Sequence, residues 1–260
     1  MMINRMTCFC VIFHLAKITI CKDLSLFRLK TEDLNHLEDI KHTLDFPHQE
    51  MHDLYLLAIN YGIKAYNTGQ ENYLEQVFEL YQQALQQNIL IQNGLLSTFS
   101  FKNIVGIALK LNQVDWTAQF IEKYKIKLPT KHQVVYLNYG LSKLHFHKKN
   151  YAEALELLQE VDYKDLFLNI SAKVMQLKIY YEQGAYDALD SFLDSFKVFL
   201  HRKKVMSYHK DNYLNTIRFT QKLLLVNPFD KKEIAQLQKQ IIDSSPLGEK
   251  AWLLEQVEKL

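Results

Sequence analysis

Residues 134–161 read VVYLNYGLSKLHFHKKNYAEALELLQEV, and residues 166–196 read LFLNISAKVMQLKIYYEQGAYDALDSFLDSF. These are two helical hairpins of nearly the same pattern laid end to end. In each, apolar residues recur at three-and-four spacing on both sides of a short polar turn, the pattern of paired helices that each bury one face. Tyr151 and Tyr186 hold matching places just after the turns, 35 residues apart. Trp116 falls one further period upstream, in NQVDW. A helix-turn-helix unit repeating at this period is the mark of a helical solenoid, in which each hairpin covers its apolar face with its neighbours. The spacing predicts an all-α fold.

The composition agrees. The chain has 260 residues, 48 % hydrophobic and 23 % charged, which suits a folded domain or a short solenoid rather than a disordered segment. Seven glycines and four prolines are too few for a turn-dense all-β fold or for glycine-rich nucleotide-binding loops. A formal charge of +2, from 31 basic and 29 acidic residues, supplies no global attraction to nucleic acid or membranes. Any partner must be argued locally.

Three regions follow along the chain. The first, residues 1–45, is an N-terminal helical segment that holds all three cysteines. Arg5 and the apolar run from Met6 to Ala16 resemble a short signal peptide, but His14 and Lys17 interrupt the run and no small-x-small cleavage site follows. A helix capping the solenoid is the expected reading, and a cytoplasmic, reducing location follows, with export by a weak N-terminal signal as the alternative. Cys8, Cys10, His14 and Cys21 lack the paired C-x2-4-C knuckles of a structural zinc module. A short helix is expected over 31–43.

The repeat region, 46–226, is expected to hold four hairpins and a long helix. Pro47 opens the first helix, Gly69 stops it, and Leu74, Val77, Phe78, Tyr81 and Leu85 mark its partner. The second hairpin pairs a helix over 94–111 with one over 114–127. The hairpins quoted above come third and fourth, followed by a helix over 203–226. The last region, 227–260, is a C-terminal helical cap with Asp230 as an N-cap and Trp252, Leu253 and Val257 on the final helix.

In the third hairpin Tyr151, Ala154 and Leu158 stand in the order of turn aromatic, small residue and large apolar residue, with Leu141 and the small Ser142 on the preceding helix. This unit resembles the tetratricopeptide repeat family. The fourth keeps Gly184 and Tyr186 but has Leu189 where alanine is expected and Ala188 one place early; the second has Trp116 but Gln119 three later. The resemblance implies a right-handed α-solenoid of antiparallel hairpins with a C-terminal capping helix. It also implies that the first helix of each hairpin lines a concave face. The family register places Phe101, Ile104, Tyr136, Tyr139, Lys143, His147, Val174, Lys178 and Tyr181 on that face. Rings beside lysines there suit a protein or peptide of acidic character. Tyr139 and Tyr181 have a second reading as packing between hairpins.

The expected function is therefore a non-enzymatic protein-protein interaction scaffold, with no cofactor or metal, and with self-association through solenoid ends as a further contact. The chain carries no P-loop, dinucleotide fingerprint or G-x-S-x-G. Two alternatives stand beside it. A regulatory or nucleic-acid-associated repeat draws on the basic helix ends, His145 to Lys149 and His201 to Lys204, though these also complement helix dipoles. A metal-dependent hydrolase draws on His48 and His52, four apart, but Glu50 stands midway between them rather than where the zinc hydrolase motifs put their glutamate.

Overall fold

The computed structural model describes residues 47–159, 164–202 and 207–260, with the backbone alone at 207–209. The helix expected over 31–43, the cysteines with His14, and Lys203 and Lys204 of the basic cluster lie outside the described residues. Two compact units divide the chain, 1–162 and 163–260. Eleven helices and one minimal strand pair make up the regular structure among the described residues, so the fold is all-α. No helix among them is long and apolar enough to cross a membrane.

The N-terminal unit runs α1 (His48–Asn67), α2 (Tyr73–Gln86), β1 (Ile91–Gln92), β2 (Leu95–Leu96), α3 (Thr98–Lys110), α4 (Val114–Tyr124), a 3-10 turn (Lys125–Lys127), α5 (Thr130–His147) and α6 (Tyr151–Gln159). Within it α1 packs on α2, α2 on α3, α3 on both α4 and α5, α4 on α5, and α5 on α6. The first helices of the second and third hairpins thus lie side by side. The C-terminal unit runs α7 (Leu166–Glu182), α8 (Tyr186–Arg202), α9 (Ser207–Leu225), α10 (Lys231–Asp243) and α11 (Lys250–Glu258). There α7 packs on α8, α8 on α9, α9 on α11, and α10 on α11.

One turn recurs. Helices α1, α3, α5 and α7 each end on a residue of positive φ: Gly69 at 98°, Asn112 at 57°, Lys149 at 62° and Gly184 at 68°. At each end the amide after that residue donates to the carbonyl five residues back, as Asn150 does to His145 at 2.9 Å and Ala185 to Tyr180 at 3.0 Å. This is the Schellman closure, which satisfies carbonyls that the helix end leaves open. Across it Phe146 meets Tyr151 at 5.7 Å and Tyr181 meets Tyr186 at 6.0 Å, both pairs five residues apart. The matching tyrosines therefore pack back on the helix they have just left.

The same closure corrects the register of the second hairpin. Counted from Asn112, the place of Tyr151 and Tyr186 belongs to Val114, and Trp116 stands two residues beyond it. The small and apolar places then fall on Thr117 and Ile121, exposed 0 % and 2 %, matching Ala154 and Leu158, and Leu189 and Leu193. Gln119 is simply on the wet side.

A second correction concerns residues 94–97, the expected start of the helix over 94–111. Instead, Ile91 pairs with Leu96 and Gln92 with Leu95, around Asn93 and Gly94 with φ of 50° and 79°. Asn-Gly takes positive φ at both central positions with little strain and matches the strand twist, so it makes a tight hairpin here. Helix α3 starts only at Thr98, with Ser97 Oγ accepting from the Ser100 amide at 3.0 Å. The expected cap at Asp230 is present, its carboxylate accepting from the amides of Lys232 and Glu233 at 2.9 and 3.2 Å.

Trp116 has a different task from the turn tyrosines. Its ring stacks on Phe120 at 5.4 Å and 7°, and meets Phe78 of α2 edge-on at 4.8 Å. Phe120 continues to Phe101 and Tyr124, so one aromatic column joins α2, α3 and α4. Two close approaches hold the helices around it. A Cβ on Gly62 would come within 2.3 Å of Val77 Cγ2, and one on Gly140 within 3.1 Å of the Phe101 ring.

Three stability changes follow, each measured by urea unfolding. Lys149→Gly relieves a left-handed lysine and should stabilise by about 1 kcal/mol. Gly62→Ala forces α1 away from α2 and should cost roughly 1–3 kcal/mol. Trp116→Ala empties the column and should cost about 3 kcal/mol or more. Equal stability of Lys149→Gly and the parent would contradict the strain assigned to that turn.

Candidate interaction groove

The end of α1, the start of α2, the outer side of α3 and one residue of α5 enclose a groove of about 620 Å³ that is open to solvent. Its floor is apolar, from Ile63, Leu74, Val77 and Ile107. Its walls carry Lys102, Lys110 and Lys143, with no carboxylate among the described lining residues. Each ammonium sits by a tyrosine ring. Lys110 Nζ is 4.7 Å from the Tyr66 centroid and 3.4 Å from its hydroxyl. Lys102 and Lys143 share the Tyr139 ring, at 5.9 and 5.7 Å.

The local sequence explains this convergence. Lys102 and Lys110 are eight residues apart on α3, close enough to two turns to share a face, and Gly106 lies midway. With no side chain there, Lys143 reaches across from α5; a Cβ on Gly106 would lie 3.3 Å from its Nζ. Ring faces attract the ammonium groups; Lys102 and Lys143 are half-buried, while Lys110 is exposed. The arrangement can hold a negatively charged chain over an apolar floor.

The nine residues assigned to the concave face part company here. Lys143 lines the groove, and Tyr139, 4 % exposed, supports it from beneath. Phe101 and Ile104, at 1 % and 0 %, are core and offer no surface. Their side of α3 faces α4 and α5, where Phe101 meets Phe120 and lies under Gly140. Tyr136 is half-buried against the core with its ring edge-on to His132 at 6.3 Å, and His147 is exposed at the end of α5.

In the C-terminal unit Val174 is buried, and helix α11 occupies the neighbourhood of the other two. Trp252 meets Tyr181 edge-on at 5.5 Å and donates from Nε1 to Glu182 at 2.9 Å. Lys178 is ion-paired with Glu249 and lies 5.4 Å from the Trp252 ring. The chain's own last helix thus covers the positions read as an open face. Its apolar side, with Leu253 at 0 % and Val257 at 3 %, needed a partner, and nothing in the pattern of α11 itself names α7 as part of it.

Lys102, Lys110 and Tyr66 were missed by sequence reasoning, although a glycine between two lysines in a helix interior was a legible sign. His48 and His52 do not converge: His48 Nε2 is 3.2 Å from the Asn88 carbonyl and His52 Nδ1 is 3.1 Å from Asp53. No group of three or more metal-capable side chains occurs among the described residues. No protein-family model, curated protein or solved structure matches the chain.

Trp252→Ala should cost roughly 3–5 kcal/mol in unfolding experiments, because the indole is buried in the C-terminal core. A second expectation concerns alkali. Burial pushes the phenols of Tyr81 and Tyr181 from 10.0 up to about 12, with the charges of Tyr186 and Glu182 adding to the effect at Tyr181. The unfolded chain ionises first, so stability is whole below pH 10.0 and falls as the pH rises from there to about 12. For fully buried Tyr81 the loss is about 2–3 kcal/mol. Tyrosinate absorbance followed beside unfolding should show Tyr81→Phe with a shallower decline; an unchanged slope would contradict the assignment.

Proposed function

We propose that this chain is a non-enzymatic scaffold of tetratricopeptide-like helical hairpins, wound as a right-handed solenoid, and that its N-terminal unit holds an acidic peptide segment in the lysine groove. The observation that carries this reading is the gathering of Lys102, Lys110 and Lys143 on tyrosine rings above an apolar floor. The recurring turn and the side-by-side packing of α3 and α5 support the hairpin-stack reading. In an extended acidic peptide, carboxylates would meet the ammonium groups while an intervening apolar side chain reaches Ile63, Val77 or Ile107. Charge then selects the ligand and speeds its approach, and the floor supplies contact area. The face read earlier across α7 has no part in this site, because α11 lies on Lys178 and Tyr181.

The test is a titration of the isotopically labelled full chain with a decapeptide of alternating acidic and apolar residues, and with its lysine counterpart. The acidic peptide should move the resonances of Asn103, Gly106 and Lys143, more weakly as salt rises. Lys102→Glu and Lys143→Glu should each weaken binding by about tenfold or more while leaving the circular dichroism unchanged. Equal binding of the basic peptide, or undiminished binding by both variants, would remove the groove from the proposal.

A further inference from the structure

The end of the C-terminal unit departs from the wet, lysine-rich cap that its sequence suggests. Phe229 is 92 % exposed and Leu225 83 %, the two large apolar side chains most open to water among the described residues. Leu225 ends α9 and Phe229 lies in the turn that leads to α10, and that turn is stiff. Pro228 fixes its φ, Asn227 accepts from the Phe229 amide through Oδ1 and from the Asp230 amide through its carbonyl, both at 3.0 Å, and Glu233 accepts from the Asn227 amide at 3.1 Å. The backbone that presents the ring has already lost freedom that binding would otherwise remove.

Beside the turn lies a cleft of about 610 Å³ between α9 and α10. Val226 and Leu237, exposed 7 % and 5 %, form its apolar floor, and Lys222 donates to Gln240 across it at 2.5 Å. Helix α10 is carried by α11, which packs on α9, and this leaves the cleft open.

We propose that this end is a self-association surface whose occupant is a second copy of the chain, with Phe229 of each copy seated in the α9/α10 cleft of the other. A projecting ring and a recess with an apolar floor, rimmed by Lys222, Glu233, Gln236 and Gln240, lie on one end of one unit and form a self-complementary surface, which is what a two-fold interface requires. The charges agree. Residues 222–243 carry four lysines against three carboxylates, so the surface neither repels its own copy nor presents the one-sign field that would favour a nucleic acid or an anionic lipid. The two exchanged rings close the assembly at two copies.

Sedimentation of the full chain from about 1 to 500 µM tests this. The mass should rise reversibly from that of one chain to that of two and stop there. Phe229→Asp should weaken dimerisation by about tenfold or more. Since the ring is exposed, its unfolding curve should match the parent, and Phe229→Leu should retain most of the association. A photo-crosslinking residue at 229 should join α9 or α10 of a second, isotopically distinct copy. A chain monomeric throughout, open-ended growth beyond two copies, dimerisation indifferent to Phe229→Asp, or crosslinks that map elsewhere would each overturn the proposal.

Discussion

The stack of Trp116 on Phe120, with Phe78 against its edge, is the contact on which the N-terminal unit depends. A helical hairpin has two apolar faces and can bury only one within itself; the other must find a neighbour. Phe78 belongs to the first hairpin and Trp116 to the second, so this contact is where the two become one core. Phe120 passes it to Phe101, and Gly140 lets α5 approach the same ring. The burial of Phe101 and Ile104 follows from that closure.

The groove is a consequence of the same packing. With one side of α3 taken up by the aromatic core, its other side carries Lys102, Gly106 and Lys110 towards α1 and α5. Charge is gathered there by geometry rather than by composition, for the chain as a whole is nearly neutral. Lysines from α3 and α5 come to one tyrosine ring because the two helices lie side by side. The C-terminal unit resolves the same problem differently. Trp252 of α11 packs edge-on against Tyr181 and donates its indole N–H to Glu182, so that surface is half-buried by the chain itself.

Much of the architecture was legible because local physics repeats. Gly69 and Gly184 mark left-handed helix ends, and Asp230 caps α10 as its side chain suggests. The misreadings have physical causes. Gly94 stands at the start of the expected helix over 94–111, although with Asn93 it makes a tight strand turn. Trp116 was taken for a turn aromatic because the Schellman residue before it is Asn112, which carries no glycine flag and leaves the count two residues adrift.

By itself the sequence determined the helical class, the pairing of most helices into hairpins and the helix stops at Gly69 and Gly184, since these rest on three-and-four periodicity, caps and left-handed residues, all within a few positions of one another. Only the tertiary structure decided which faces met. It buried Phe101 and Ile104, covered Lys178 and Tyr181 with α11, and brought Lys102, Lys110 and Lys143 into one groove. Amphipathic helices state that a face must be buried without stating against what. That choice is made between residues 15 to 74 positions apart, through ring contacts and close approaches that no local pattern encodes.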